Sequence, residues 1–187
     1  MFPELPGRSP GSGDRPTLRS SLWYSFTPMD GRDLGVRLAL DRADTDASRE
    51  LQDAFFADIA ARYPGWDPDE GPSADPSEFL VPDGAWVVAY LDERPVGCGG
   101  VKAIDDETAE IRRVFLHKEA RGRGIGRQLL QELEEHARRL GYRRVRLNTG
   151  DRQPEALTLF RSAGYVEIAD FNGYAFAHHW MQKELQG

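Results

Sequence analysis

Residues 110–141 read EIRRVFLHKEARGRGIGRQLLQELEEHARRLG, and the fold turns on how this stretch is read. Residues 110–116 predict a strand, apolar and β-branched at its end. Residues 125–140 predict a long amphipathic helix, with Ile125, Leu129, Leu130, Leu133, Ala137 and Leu140 on one face and Gly141 to stop it. Between them stands Arg121-Gly122-Arg123-Gly124-Ile125-Gly126. The first N–H groups of a helix have no internal partner, and with the helix dipole they form an anion site. Glycines at 122, 124 and 126 let backbone approach a phosphate without side chains in the way. Arg121, Arg123 and Arg127 add positive charge around the same point. A phosphate or pyrophosphate is therefore expected at the start of this helix.

Working outward, residues 34–40 predict a strand with Leu34, Val36, Leu38 and Leu40 on one face. Asp44, Thr45 or Asp46 caps a helix running to about residue 62, with Leu51, Phe55, Ile59 and Ala60 as its apolar stripe. Residues 64–82, rich in Pro, Gly and Asp, predict a long loop. Residues 86–91 and 96–104 predict a hairpin about Asp92-Glu93-Arg94-Pro95. After the central helix come a strand at 145–148 and a helix at 154–163, started by Pro154 and stopped by Gly164. Two final strands are expected at 165–168 and 178–185. The fold class is mixed α/β. Residues 1–20 read as a flexible leader rich in Pro, Gly, Ser and Arg, and residues 21–187 as one domain, with Trp23, Tyr24 and Phe26 as an aromatic stretch that docks on it.

Composition narrows the function. The chain has 187 residues, 40% of them apolar and 29% charged, with a net charge of −7. That balance argues against a nucleic-acid partner. Residues 41–110 hold 18 acids and 5 bases, whereas residues 112–127 hold six Arg or Lys and only Glu119 as an acid. A basic island in an acidic chain suits a small polyanionic ligand. No run of 18 apolar residues exists, so no membrane span is expected. Cys98 is the single cysteine, which excludes an internal disulfide and a Cys-based zinc cluster. No metal site is expected, and a reducing, cytoplasmic setting is.

The loop lacks the Gly-Lys-Ser/Thr of a Walker A motif, and its alternating glycines follow hairpin strands instead of opening a parallel βαβ unit. The pattern Arg-x-x-Gly-x-Gly resembles the pyrophosphate loop of the GNAT acetyltransferase superfamily. The resemblance covers roughly residues 87–185: the strand AEIRRVFLHKEA, the loop RGRGIG, the helix RQLLQELEEHARRLGY, the strand RRVRLNTG and the helix QPEALTLFRSAGY. It implies a central, mostly antiparallel sheet with a splayed parallel pair, flanked by helices. It also implies acetyl-CoA as co-substrate and transfer of acetyl to an amine.

By the same resemblance, the amides of Arg121, Gly122, Arg123, Gly124, Ile125 and Gly126 hold the pyrophosphate, with Arg127 beside them. Val114, Phe115 and Leu116 offer the strand backbone that pairs with pantetheine, and the Leu116 amide stands where it also polarises the thioester carbonyl. Gln153 replaces the family's usual Asn and is expected to touch the co-substrate. Phe160 falls where many members carry a Tyr that protonates the leaving thiolate, and it has no hydroxyl to give. Glu110 stands where histone acetyltransferases of the superfamily have their base; its plain structural reading is an exposed strand-end acid paired with Arg112 or Lys102. In FNGYAFAHHW, which resembles a branch of small bacterial members, His179 is the second catalytic candidate, and only one of His178 and His179 can face the site. Cys98 reads as a buried structural thiol, and Tyr63, Trp66 and Phe79 as candidates for lining an acceptor pocket.

Three activities compete. The first is acetylation of a small-molecule or amino-acid amine by direct transfer in a ternary complex. The second is acetylation of a lysine or N-terminus of a protein, and the third is a non-catalytic acetyl-CoA-binding module. Homodimer formation is left open. The acidic first half suits a cationic amine and a protein tail equally.

Overall fold

A computed structural model describes residues 35–67 and 74–185. The expected leader, the aromatic stretch and Leu34 lie outside the described residues. Seven strands form one sheet in the order β1-β2-β3-β4-β5-β7-β6. They are β1 Val36–Asp41, β2 Ala85–Leu91, β3 Arg94–Ala103, β4 Thr108–Leu116, β5 Arg144–Thr149, β6 Val166–Ile168 and β7 His179–Glu184. Every pair is antiparallel except β4 with β5, which runs parallel. Helices α1 Asp46–Arg62, α2 Ile125–Arg139 and α3 Pro154–Ser162 complete the fold. The mixed α/β class and the one parallel pair match expectation.

The sheet is covered on both faces. On one, Leu129, Leu130 and Leu133 of α2 pack on Val101, Ile111 and Val145, all buried. Each such leucine contributes about 1.5–3 kcal/mol by leaving water. On the other, Leu51 of α1 joins Phe79, Trp86, Val88, Cys98 and Phe115. Gly100 is required here: a Cβ on it would lie 2.4 Å from the Phe79 ring. The helix α1 departs from its expected stripe. Ala60 is exposed, while Ser48 and Gln52 are buried. Both polar side chains have partners: Trp86 Nε1 donates to Ser48 Oγ at 3.0 Å, and Gln52 Nε2 donates to the Ala43 carbonyl at 2.7 Å. Thr45 is the cap, its hydroxyl accepting from the Ser48 amide. Leu40, expected on the buried face of β1, is 52% exposed because β1 is an edge strand. In the long 64–82 loop, Pro76–Phe79 forms a 3₁₀ turn closed by a reciprocal Asp75–Glu78 capping box. Among the described residues no helix is long and apolar enough to cross a membrane.

Candidate functional site

The parallel pair is short. β4 and β5 pair only through Thr108, Ala109 and Glu110, opposite Arg144, Val145 and Arg146. Beyond Glu110 the strands part, so among the described residues one backbone edge of β4 has no strand partner from Ile111 onward. On its other side β4 pairs with β3, where Cys98 faces Phe115 and Gly100 faces Arg112. Arg113 and Val114 together oppose Gly99, which makes a β-bulge, and Arg113 adopts φ +54°. A bulge bends its strand and adds twist. Here it lies in β4 just past the last β4–β5 pair, at Glu110.

Two cavities meet in this gap. The larger, about 340 Å3, runs from Val114, Phe115 and Leu116 to the start of α2, where Gly122, Gly124 and Gly126 line it. Gly124 is the N-cap of α2, left-handed at φ +80°, and no side chain caps the helix. An added Cβ at Gly122 or Gly124 would meet nothing within 4 Å. The loop thus forms an open, uncapped cradle of amides, as an anion requires. The arginines divide their work differently from expectation. Arg121 donates Nε to the Leu116 carbonyl at 3.0 Å and pairs with Glu155 at 3.2 Å and Asp58 at 3.8 Å. It ties β4 to α1 and α3 more than it offers free charge. Arg127 donates to Ser162 Oγ, and Arg123 is exposed.

The smaller cavity, about 130 Å3, lies on the α1 side under Tyr63, Trp66, Tyr174 and Phe176. Trp66 Nε1 donates to Tyr174 Oη at 2.6 Å, which joins the end of α1 to the 169–178 loop across the cavity. Phe79, expected as a possible wall, packs instead edge-on against Trp86 in the core. Five residues line both cavities: Phe55, Val114, Gln153, Ala156 and Phe160. Gln153 is fixed by its Oε1, which accepts from the Gly150 amide at 3.2 Å and from Thr149 Oγ1 at 3.3 Å. Phe160 is buried at the junction, tilted against the Tyr165 ring.

Glu110 lines the smaller cavity and is 5% exposed. It is not the exposed strand-end acid of the plain reading, and Lys102 pairs with Glu78 instead. Asn172 Nδ2 donates to Glu110 Oε1 at 3.2 Å, and Asn172 Oδ1 in turn accepts from Trp180 Nε1 at 2.9 Å. The Arg112 guanidinium stands 3.9 Å from Glu110 Oε2. Burial pushes the Glu110 carboxyl above the ordinary carboxylate range, against the opposing pull of Arg112, Lys102 and the Asn172 amide. A carboxylate so raised is a better proton acceptor near neutral pH. Removing the Asn172 amide removes a hydrogen bond to the charged form. Asn172→Ala is therefore expected to move the acid limb of the kcat–pH profile upward; an unmoved limb would disconnect Asn172 from the carboxylate.

His179 is not brought to Glu110. It lies on the face of β7 that carries the buried Met181, opposite to Trp180, and its Nδ1 is 3.2 Å from Glu167. It lines neither cavity. Pairing of β7 with β5 sets this phase, with His179 opposite Thr149 and Trp180 opposite Asn148. Cys98 is fully buried, and burial pushes its thiol far above the ordinary range, so a nucleophilic thiolate there is strongly disfavoured. The site residues that sequence reading missed are Asn172 and the cavity-facing Arg112 and Arg113. The Asn in FNGYAFAHHW was the one visible signal.

Known proteins resemble this chain in sequence and in fold. The Acetyltransferase (GNAT) family model matches residues 49–165. The IAA acetyltransferase of Azospirillum brasilense is 38% identical over 102 residues, 54% of this chain and 66% of that protein. The matched stretch covers 48% and 41% of two vertebrate N-acetyltransferases, so the chain spans about half the length of several curated relatives. Among solved structures, a GNAT-family acetyltransferase from Staphylococcus aureus superposes with TM-score 0.69 at 18% identity, covering 81% of this chain and 99% of that one. Another from Elizabethkingia anophelis, with acetyl-CoA bound, superposes with TM-score 0.59 at 18% identity, covering 82% and 100%.

Proposed function

Since the chain belongs to the acetyltransferase (GNAT) family, we propose that it moves acetyl from acetyl-CoA to a primary amine of a small molecule or amino acid, directly within a ternary complex. The observation that carries this reading is the meeting of two cavities at the β4–β5 gap, an amide cradle in one and a buried carboxylate in the other. The residues present fit the co-substrate: an uncapped helix start with open space at Gly122 and Gly124 suits a pyrophosphate, and the partnerless edge of β4 suits an extended amide-bearing arm.

Bound acetyl-CoA supplies a thioester carbonyl as the acceptor of the amine's lone pair. In this reading the amides at the start of α2, between Gly122 and Gly126, hold the phosphates, and Val114 to Leu116 position the arm. The Leu116 amide polarises the carbonyl oxygen. Glu110, directly or through a water, takes the proton that the amine gives up as its nitrogen bonds to the acetyl carbon and the carbon–sulfur bond breaks. Phe160 offers no proton to the departing sulfur. A thiol has a reference pKa of about 8.5, so the thiolate is a fair leaving group and water completes it. The roof of Trp66 and Tyr174 over a small cavity favours a small acceptor over a protein tail. The cytoplasm is the setting that fits a free buried thiol.

The test has two arms. Acetyl-CoA is expected to raise the melting temperature by binding the native state, and ATP and NADH far less. With an amine panel, thiol release should follow, while acetyl-CoA alone leaves the mass of the protein unchanged. Equal stabilisation by all three nucleotides, or binding without thiol release for any amine, would reject the enzyme reading.

A further inference from the structure

The acceptor cavity has the opposite sign from the acidic chain around it. Among the described residues that line it, Glu110 is the one carboxylate, and Arg112 and Arg113 are two guanidinium groups. Arg113 donates to Gln52 Oε1 and to the Ala74 carbonyl, and its guanidinium lies over the Phe56 and Phe79 rings. These partners are all neutral, and burial holds its pKa below the ordinary arginine value. Arg112 has a side chain 16% exposed, its one ion-pair contact among the described residues is Glu110 at 3.9 Å, and it makes no hydrogen bond there. A guanidinium carries five donors in a rigid plane, and buried donors are normally satisfied. Arg112 thus lines the cavity with donors that have no hydrogen-bond partner among the described residues, and a planar cation so placed suits an anion.

We propose that the acceptor is an amino carboxylate with an uncharged apolar or aromatic side chain, its carboxylate taken by Arg112 and its amine turned to Glu110. The proposal rests on the acetyl-transfer reading and names the substrate class of that same site. Two coplanar carboxylate oxygens match the guanidinium fork, which an ammonium or a hydroxyl does not. Of the other lining residues, Phe55, Phe56, Trp66 and Phe176 offer apolar surface, and the polar ones, Asn148, Thr149 and Gln153 among them, carry no charge. A polyamine or a lysine side chain would bring a second cation beside two guanidinium groups. Those acceptors are disfavoured, whatever the acidity of residues 41–110.

The test compares amines that differ only in the carboxylate: L-phenylalanine with phenethylamine, and L-leucine with 3-methylbutylamine. Two quantities are read, kcat/KM from thiol release with acetyl-CoA, and affinity for the CoA-saturated protein by calorimetry. The carboxylated member is expected to be favoured by about 10–10²-fold in each pair, the range of a charge-assisted hydrogen bond. Arg112→Gln should bring the ratio close to one, and Arg112→Lys, which keeps the charge without the fork, should leave it intermediate. The melting temperature and acetyl-CoA shift of both variants check that the fold survives. A wild-type ratio of one or below, an unchanged ratio in Arg112→Gln, or no binding of either carboxylated probe would overturn the proposal. Turnover of phenethylamine or spermidine in preference would overturn it while leaving the acetyl-transfer reading intact. Absence of an acetyl-CoA shift would sink both.

Discussion

Replacing Glu110 by glutamine is expected to lower kcat by about 10²–10⁴-fold while leaving the acetyl-CoA-induced rise in melting temperature in place. Glutamine keeps the shape and accepts a hydrogen bond from Asn172, but it cannot take a proton. An amine acceptor has a pKa up to about that of lysine, 10.4, so much of it arrives protonated at neutral pH. The variant should recover part of its rate as pH rises, because more acceptor then arrives neutral. Stability separates this role from a structural one. The Glu110 carboxyl sits above its ordinary range in the folded protein because it is buried. A group raised in this way gives its full stabilisation below its unfolded pKa and loses it as pH rises through the folded one. At neutral pH and above, Glu110→Gln should thus be at least as stable as the wild type, and the advantage should shrink on acidification. Normal turnover across neutral pH, or a large loss of stability there, would remove Glu110 from the chemistry.

The second large effect is expected at Gly124. Its φ of +80° is a left-handed conformation, and a Cβ added there meets nothing within 4 Å. Valine there costs about 1–2 kcal/mol of backbone strain, which a domain of this size survives. The same side chain occupies the space that a phosphate must enter. Gly124→Val should therefore fold, melt a few degrees lower, and show no shift with acetyl-CoA up to saturating concentrations for the wild type. Gly124→Ala, with the same strain and less bulk, should retain a reduced shift. A wild-type shift in the valine variant would move the phosphate site away from this loop.

Much of this was legible before any coordinates. The helix α2 and its glycine loop were, because a 3.6-residue period and a run of glycines are local signals. The strands followed from their alternation, and all seven sit within two or so residues of expectation. Glu110 was reachable through the family resemblance, which sets it where histone acetyltransferases of the superfamily have their base. Its surroundings were not. Burial of that carboxyl depends on Asn172 folding back across 62 residues, and on which way Arg112 points. The face shown by His179 depends on how β7 registers against β5, which two adjacent histidines do not reveal. The positive charge of Arg121 was legible beside the loop, but its ties to Leu116, Asp58 and Glu155 were not. The buried Ser48 and Gln52 broke the apolar stripe of α1 because their partners come from elsewhere in the chain.

The bulge at Arg113 behaves as a removable wedge. Ala109, Ile111, Val114 and Leu116 pack toward α2, while Glu110, Arg112 and Phe115 face the α1 side, as Arg113 also does. Striking Arg113 from that series leaves a strictly alternating strand with every other residue on its present side. Both packed layers would remain in phase, although Gln52, the Ala74 carbonyl and the Phe79 ring would lose the guanidinium they hold. What would vanish is the bend that a bulge brings, just beyond the point where β4 stops pairing with β5. The strands could then zip onward and close the gap that the two cavities share. One residue, dispensable to the alternation though not to its own contacts, separates an evenly alternating strand from a bulged one. Such a chain could give up its catalytic gap without giving up its fold.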